Sequence, residues 1–204
     1  MIMKFKTYTL KSLCVKIRNG CGEKQNDTMS GYPISRIETV SESKIEPKNI
    51  AYLDCDEKIL EKFRLVKGDI LFSHINSDTH IGKSAIYYGD PDILLHGVNL
   101  LLFRVNQEII LPEYLQFYLN KIKNSGYFSL RCNRAINQAS INQKFLEKIK
   151  FSVPEIKDQK NFVKNLDIIK IFENKLEELN KDLFNYATNL FDEKFGSTLL
   201  KNLK

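Results

Sequence analysis

A long, regularly spaced apolar seam near the end of the chain constrains its fold more than any other feature. Between residues 162 and 190, apolar side chains recur at alternating steps of three and four. The seam consists of Phe162, Ile169, Phe172, Leu176, Leu179, Leu183, Tyr186 and Leu190, with Asn165 at one further position. This heptad pattern predicts a helix from about residue 157 to residue 195, roughly 58 Å long, whose stripe is narrow enough to need a partner helix. A terminal helix lying on its own domain is the alternative.

Length and composition indicate one ordinary domain beside that helix. The chain has 204 residues, and 43% of them are hydrophobic, which is enough for a core. No apolar run approaches about 20 residues, and the first residues lack the apolar stretch of a secretion signal, so we expect a cytoplasmic protein with no membrane contact. The four cysteines form no Cys-x-x-Cys pair and have no histidine nearby. The sequence therefore predicts no structural zinc, disulfide framework or cofactor.

The distribution of charge separates the two parts of the chain. The net charge is +6, and residues 1–50 and 105–153 each carry +4, whereas residues 154–204 are neutral. A basic body and a neutral helix predict that the body binds a polyanion and the helix mediates assembly.

The remaining signals predict a mixed α+β body. Apolar segments at residues 70–72 and 100–105 are typical of strands, and Pro112 begins a helix that ends before Gly126. Ser140 and Gln143 match a reciprocal helix cap. We divide the chain into a globular domain (1–154), a spacer or dimerisation helix of coiled-coil type (155–196) and a tail (197–204).

Catalytic signatures are weak. The sequence contains no glycine-rich phosphate loop and no Asn/Asp-Pro-Pro-Tyr/Phe run of amino-methyltransferases. A nuclease-like metal set can be assembled from Asp27, Glu42 and Lys44, but chance meets such a spacing easily. His74 and His80 lack a convincing third metal ligand. We therefore predict no catalytic residues and no metal site, and we keep a metal-dependent nuclease as an alternative.

Polar and cationic side chains instead concentrate in the predicted loops as two groups, one between residues 36 and 83 and one between residues 131 and 143. An Arg side chain can donate two hydrogen bonds to guanine, Asn and Gln side chains can form two with adenine, and Lys contacts phosphates. These groups therefore predict an interface with double-stranded DNA. The candidate residues are Arg36, Lys44, His74, Asn76, His80, Lys83, Arg131, Asn133, Arg134, Asn137, Gln138 and Gln143.

Four stretches give the chain a resemblance to the specificity subunits of type I restriction-modification systems. They are Gly-Tyr-Pro-Ile at 31–34, Gly-Asp-Ile-Leu-Phe-Ser-His-Ile-Asn-Ser at 68–77 with Ile-Gly-Lys at 81–83, Pro-Glu-Tyr-Leu at 112–115 with Gln-Ala-Ser-Ile-Asn-Gln at 138–143, and Val-Pro-Glu-Ile-Lys-Asp-Gln at 153–159. In order and spacing they are similar to one target recognition domain and the start of its spacer helix.

The resemblance implies a function without catalysis. A subunit of this family recognises DNA and positions it for a separate methyltransferase subunit and a separate restriction subunit. A complete subunit carries two recognition domains and two antiparallel spacer helices, and this chain has one of each. Two copies forming a homodimer through the seam would restore that arrangement and read a split, palindromic site. An assembly protein without any DNA contact is the remaining alternative.

Overall fold

The computed structural model describes residues 4–41, 43–77, 80–135 and 138–202, with backbone alone at 76, 135, 138 and 195–202. Contacts divide the chain into a unit of residues 1–160 and a unit of residues 161–204. The strands are β1 Phe5–Thr9, β2 Cys14–Asn19, β3 Tyr32–Ser35, β4 Val40–Ser41, β5 Lys44–Ile45, β6 Ile50–Leu53, β7 Ile70–Ser73, β8 Ile75–Asn76, β9 Ser84–Ile86, β10 Leu100–Val105, β11 Asn133–Ala135, β12 Gln138–Ser140 and β13 Lys150–Pro154. The helices are α1 Leu10–Leu13, α2 Glu57–Phe63, α3 Pro112–Asn124, α4 Gln143–Glu147 and α5 Ile156–Asn202, and 3-10 turns span Ile37–Thr39 and Pro47–Asn49.

A four-stranded antiparallel sheet in the order β2-β10-β7-β9 forms the centre of the first unit. Because successive side chains of a strand point to opposite faces, the sheet is buried on both sides. Phe72 and Phe103 belong to the larger core, in which their rings lie 5.3 Å apart. Leu71 and Leu102 belong to a second core on the other face. The continuous apolar run of β10 is typical of such a doubly covered strand.

The helices of the first unit follow the sequence signals with two exceptions. Helix α3 begins with Pro112, as predicted, and it buries Leu115 and Leu119. The predicted cap at Ser140 is wrong, because Ser140 belongs to β12 and the Asn142 side chain accepts the amide hydrogen of Lys144 at the start of α4. The partly alternating segment 8–17 is divided by α1, which Thr9 caps reciprocally with Ser12.

Helix α5 begins inside the first unit, and one buried side chain fixes its first turn. The Gln159 side chain is fully buried. Its amide nitrogen donates to the carbonyl oxygens of Ile109 and Pro154, each at 2.9 Å. Its oxygen accepts the amide hydrogen of Leu111 at 2.9 Å. The helix therefore starts at a defined place after β13.

In the second unit α5 continues without interruption to Asn202. The helix thus includes residues 197–202, which the sequence analysis assigned to a tail. The division into domains at residues 154 and 196 remains a prediction. In the ranges that the structure covers, no helix has the length and apolarity needed to cross a membrane. The mixed first unit and the long terminal helix agree with the predicted α+β class.

Candidate nucleic-acid interface

A small antiparallel sheet brings together the two predicted groups of base-reading residues. Its strand order is β11-β12-β8, so Asn76 pairs with Ala139 and Asn133 pairs with Ser140. The backbone amide of Ile141 donates to the carbonyl oxygen of His74 at 2.8 Å, which extends this pairing toward α4. Residues near 75 and residues near 140 thus become neighbours.

A cleft of about 520 Å³ lies beside this sheet. It is lined by Asn19, His74, Ile75, Asn133, Ser140, Ile141, Asn142, Gln143, Lys144 and Glu147. Three of the predicted residues, His74, Asn133 and Gln143, therefore share one site. Amide, hydroxyl and imidazole groups dominate the lining, and such groups discriminate base edges by hydrogen bonds.

His74 lies at the base of this cleft as a neutral side chain. Only 7% of its surface is exposed. Burial lowers the pKa of His74 to about 4, against a backbone hydrogen bond at Asn99 that raises it. Its Nδ1 has no hydrogen-bond partner among the described residues. At neutral pH His74 is therefore uncharged and supplies no charge for a phosphate.

The start of α4 holds the amide of Gln143 toward the cleft. Its nitrogen donates to Glu147 Oε1 at 2.8 Å, and its oxygen lies 3.5 Å from the side-chain nitrogen of Asn19. Both partners are polar groups of the cleft itself. The amide plane is therefore oriented before any ligand arrives, which lowers the entropy cost of a two-point contact to a base.

Exposed cations lie next to Asn133 of the cleft in sequence, because Arg131 precedes β11 and Arg134 follows Asn133 within that strand. The Arg131 guanidinium carbon lies 4.0 Å from the ring centroid of Tyr127. Arg134 Nη2 donates to the carbonyl oxygen of Ser129 at 2.7 Å. Both side chains are exposed, as is Lys144 of the cleft lining. Exposed cations near a cleft of neutral polar groups are suited to phosphate contacts.

Other predicted residues lie away from the cleft lining. Arg36 Nη2 lies 2.9 Å from Asp27 Oδ1, so its charge is already paired. Lys44 follows Ser43, and Lys83 precedes Ser84. The side chain of Gln116 donates to the carbonyl oxygens of both serines, which brings the two lysine segments together.

Four further predicted residues are Asn76, His80, Asn137 and Gln138. Asn137 lies outside the described residues, and for Asn76 and Gln138 the backbone alone is described. His80 is exposed, with Nδ1 3.0 Å from Ser77 Oγ.

A basic pocket of about 260 Å³ lies on the opposite face of the central sheet. Lys16 and Arg18 of β2 line it, whereas the next residue, Asn19, points to the cleft. Lys62 and Arg64 at the end of α2 add two further exposed cations to it. The alternation of side chains along β2 thus separates a strongly basic pocket from the more neutral cleft.

Sequence reasoning missed several residues of the cleft. Asn19, Asn142, Lys144 and Glu147 were not predicted, although Asn142 and Lys144 flank the predicted Gln143. Proximity to Gln143 at a helix start was a usable signal for these two. Asn19 carried no such signal, because a separation of 124 residues lies between it and Gln143.

The structure gives no support to a nuclease metal site at Asp27, Glu42 and Lys44 among the residues it describes. The Asp27 carboxylate is paired with Arg36, and Glu42 lies outside the described residues. Within the described part of the chain, no three His, Cys, Asp or Glu side chains are grouped so as to hold a metal ion.

The sequence is similar to a known protein family and to named relatives. The family model "Type I restriction modification DNA specificity domain" matches residues 3–189. A Methanocaldococcus jannaschii sequence, named as a candidate type I restriction enzyme MjaX specificity subunit, is 46% identical over 175 residues, which cover 85% of this chain and 40% of that protein.

Solved structures share the fold at low sequence identity. A chain from a structure of the type I R-M system has a TM-score of 0.63 at 18% identity, covering 84% of this chain and 40% of its own. The HsdS subunit from Thermoanaerobacter tengcongensis has a TM-score of 0.58 at 17% identity, with coverages of 85% and 39%. The chain thus spans about two fifths of the length of these relatives.

Proposed function

Since the chain belongs to the family of type I restriction modification DNA specificity domains, we propose that it is a DNA-recognition module that binds duplex DNA through the cleft beside β11, β12 and β8. One observation carries this proposal: two polar segments far apart in sequence, around His74 and around Gln143, line the same cleft. Their neutral polar groups read bases, and the exposed Arg131, Arg134 and Lys144 contact phosphates.

The module works by binding and has no catalytic role of its own. It presents DNA to a separate methyltransferase subunit and a separate restriction subunit, which carry out the chemistry. An oriented amide such as that of Gln143 is suited to recognition, because it both donates and accepts hydrogen bonds without carrying a charge.

Helix α5 pairs with the helix of a second copy, so that two recognition domains read a split, palindromic site. The seam supports this proposal, because its members from Ile169 onward are exposed, Phe172 and Tyr186 each by 67%. An apolar stripe of this length is stabilised by a partner helix, and burying each leucine contributes about 1.5–3 kcal/mol.

Duplex binding tests the recognition proposal. We expect selection from a random duplex pool, with and without the methyltransferase subunit, to recover a defined sequence, with affinity that falls as salt rises. Asn133→Ala or Gln143→Ala should weaken the selected duplex by about 1–3 kcal/mol and relax its sequence preference. If no duplex binds at low salt even with the methyltransferase present, the recognition proposal is wrong.

A matched pair of lysine variants locates the binding face. Lys144→Ala, in the cleft, should weaken every duplex and reduce the slope of log affinity against log salt by about one. Lys62→Ala removes the same charge on the opposite face of the central sheet and should change neither quantity. Equal effects of the two variants would show that the cleft is not the DNA-binding face.

Sedimentation tests the helix pairing. Leu179→Glu or Leu183→Glu places a charge in the seam and should convert dimers into monomers, because a buried unpaired carboxylate is strongly unfavourable. Lys181→Glu introduces the same side chain between them, outside the seam, and should leave the dimer intact. Variants that sediment like the wild type would contradict pairing through this seam.

A further inference from the structure

Helix α5 carries two interleaved series of seam residues in the second unit. In heptad notation, position a holds Phe162, Ile169, Leu176, Leu183 and Leu190, and position d holds Asn165, Phe172, Leu179 and Tyr186. From Ile169 onward every apolar member of both series is exposed. These are the positions that face a partner helix in a coiled coil.

In an antiparallel pair, each a residue packs against a d residue of the second copy. Two registers bring eight of these nine positions into contact. In the first register Leu176 meets Leu179 and Phe172 meets Leu183. In the second register Leu176 meets Phe172 and Ile169 meets Leu179. Each register places Asn165 opposite a leucine, so the core positions alone do not distinguish them.

The flanking positions do distinguish the registers, because in antiparallel pairs position g faces g and position e faces e. The first register sets Lys175 against Asp182 of the second copy, twice by symmetry. It also sets Leu166 against Ala187, which extends the apolar contact. We call it the Lys–Asp register. Its other two flanking pairs, Glu173 with Asn180 and Ile168 with Asn189, are neither attractive nor repulsive in charge, so the charged pair decides between the registers.

The other arrangements lack this complementarity. In the second register Lys175 faces Lys175 of the second copy, and Glu173 faces Glu173 of the second copy. Both contacts at its centre are therefore repulsive, and we call it the Lys–Lys register. A parallel pair would set Lys175 against Asn180 and Asp182 against Ala187, which leaves both charges without a partner.

We infer that the second copy of this chain, proposed above as the occupant of the α5 seam, pairs in the Lys–Asp register, with the twofold axis between Glu177 and Glu178. The inference rests on the helix pairing of the proposed function and specifies its geometry. Lys175 and Asp182 are the residues that select the partner's direction and register, and the apolar seam supplies the affinity.

Charge reversal tests the register on the full chain at low salt. Lys175→Glu or Asp182→Lys replaces two attractive contacts with two repulsive ones, and we expect either variant to weaken dimerisation about tenfold. The double variant, which exchanges the two charges, should restore wild-type affinity. Lys181→Glu and Asp167→Lys change the same charges at exposed outer positions and should leave affinity unchanged.

The same variants separate the competing registers. In the Lys–Lys register Asp182 faces Ile168, so Asp182→Lys would leave dimerisation unchanged and the double variant would rescue nothing. That result, or equal effects from the outer-position controls, would overturn the Lys–Asp register while leaving the pairing itself in place.

A distance measurement gives an independent readout. A spin-labelled amino acid at the outward-facing Lys164 should report an axial separation of about 40 Å between copies in the Lys–Asp register, about 30 Å in the Lys–Lys register, and about 20 Å or less in a parallel pair. Either shorter distance would refute the inference. A wild-type chain that remains monomeric would instead refute the helix pairing on which it depends.

Discussion

Replacing Gln159 tests whether one buried amide fixes the start of α5. Gln159→Ala removes three hydrogen bonds, each 2.9 Å long, and leaves the amide of Leu111 and the carbonyl of Ile109 without their partner. At about 1 kcal/mol for each bond, we expect the free energy of unfolding to fall by about 3 kcal/mol.

Urea denaturation followed by circular dichroism measures this loss. With a slope of about 2 kcal/mol per molar urea for a domain of this size, the midpoint should fall by about 1.5 M. Lys160→Ala is the matched control, because Lys160 is the exposed neighbour of Gln159. If the two variants lose the same amount, the three hydrogen bonds do not stabilise this junction.

Gln159→Glu adds a test that depends on pH. The carboxylate retains an acceptor for Leu111 but cannot donate to the carbonyl oxygens of Ile109 and Pro154. At pH 7 the variant should therefore be at least as unstable as Gln159→Ala. Because burial disfavours the carboxylate, the folded variant binds a proton more tightly than the unfolded one, and its deficit should shrink as pH falls.

Two further predictions concern stability. Burial lowers the pKa of His96, whose Nε2 lies 3.0 Å from the Leu100 carbonyl oxygen, to about 4 from 6.5. The unfolded chain therefore binds the proton first, so stability is lost as pH falls from about 6.5 toward 4. By pH 5 this loss should reach about 2 kcal/mol. The free energy of unfolding should therefore depend more steeply on pH in the wild type than in His96→Gln, and equal slopes would contradict the prediction. Gly97→Ala would place a Cβ in direct overlap with the Ser35 carbonyl oxygen and should cost about 3 kcal/mol or more. Gly22→Ala, with nothing within 4 Å of the added Cβ, should change the free energy of unfolding by at most about 0.5 kcal/mol. Thermal melts of the two variants measure this difference, and similar melting temperatures would refute it.

Local patterns predicted the elements whose stability depends on nearby residues. The strands at 70–73 and 100–105, helix α3 and helix α5 all agree with the predicted periodicity. A repeat within one element is visible in sequence because the residues that share a face are only a few positions apart. The seam of α5 is the clearest case.

Local patterns failed where two structures competed for the same residues. The Ser140–Gln143 spacing matches a helix cap, but β12 extends to Ser140 because this strand pairs with β8 and β11. The cap moves to Asn142, whose side chain accepts the Lys144 amide hydrogen at 2.8 Å. Strand pairing between distant segments thus overrode a local signal.

The sequence by itself determined the long amphipathic helix, the mixed class of the body and the types of polar residue available for binding DNA. Only the tertiary structure decided which of those residues share a site. It joined His74 to Gln143, brought in Asn19 and kept Arg36 paired with Asp27. The physical reason is that helix periodicity arises from neighbouring residues, whereas a binding cleft arises from strand pairing and core packing between segments that are far apart in the chain.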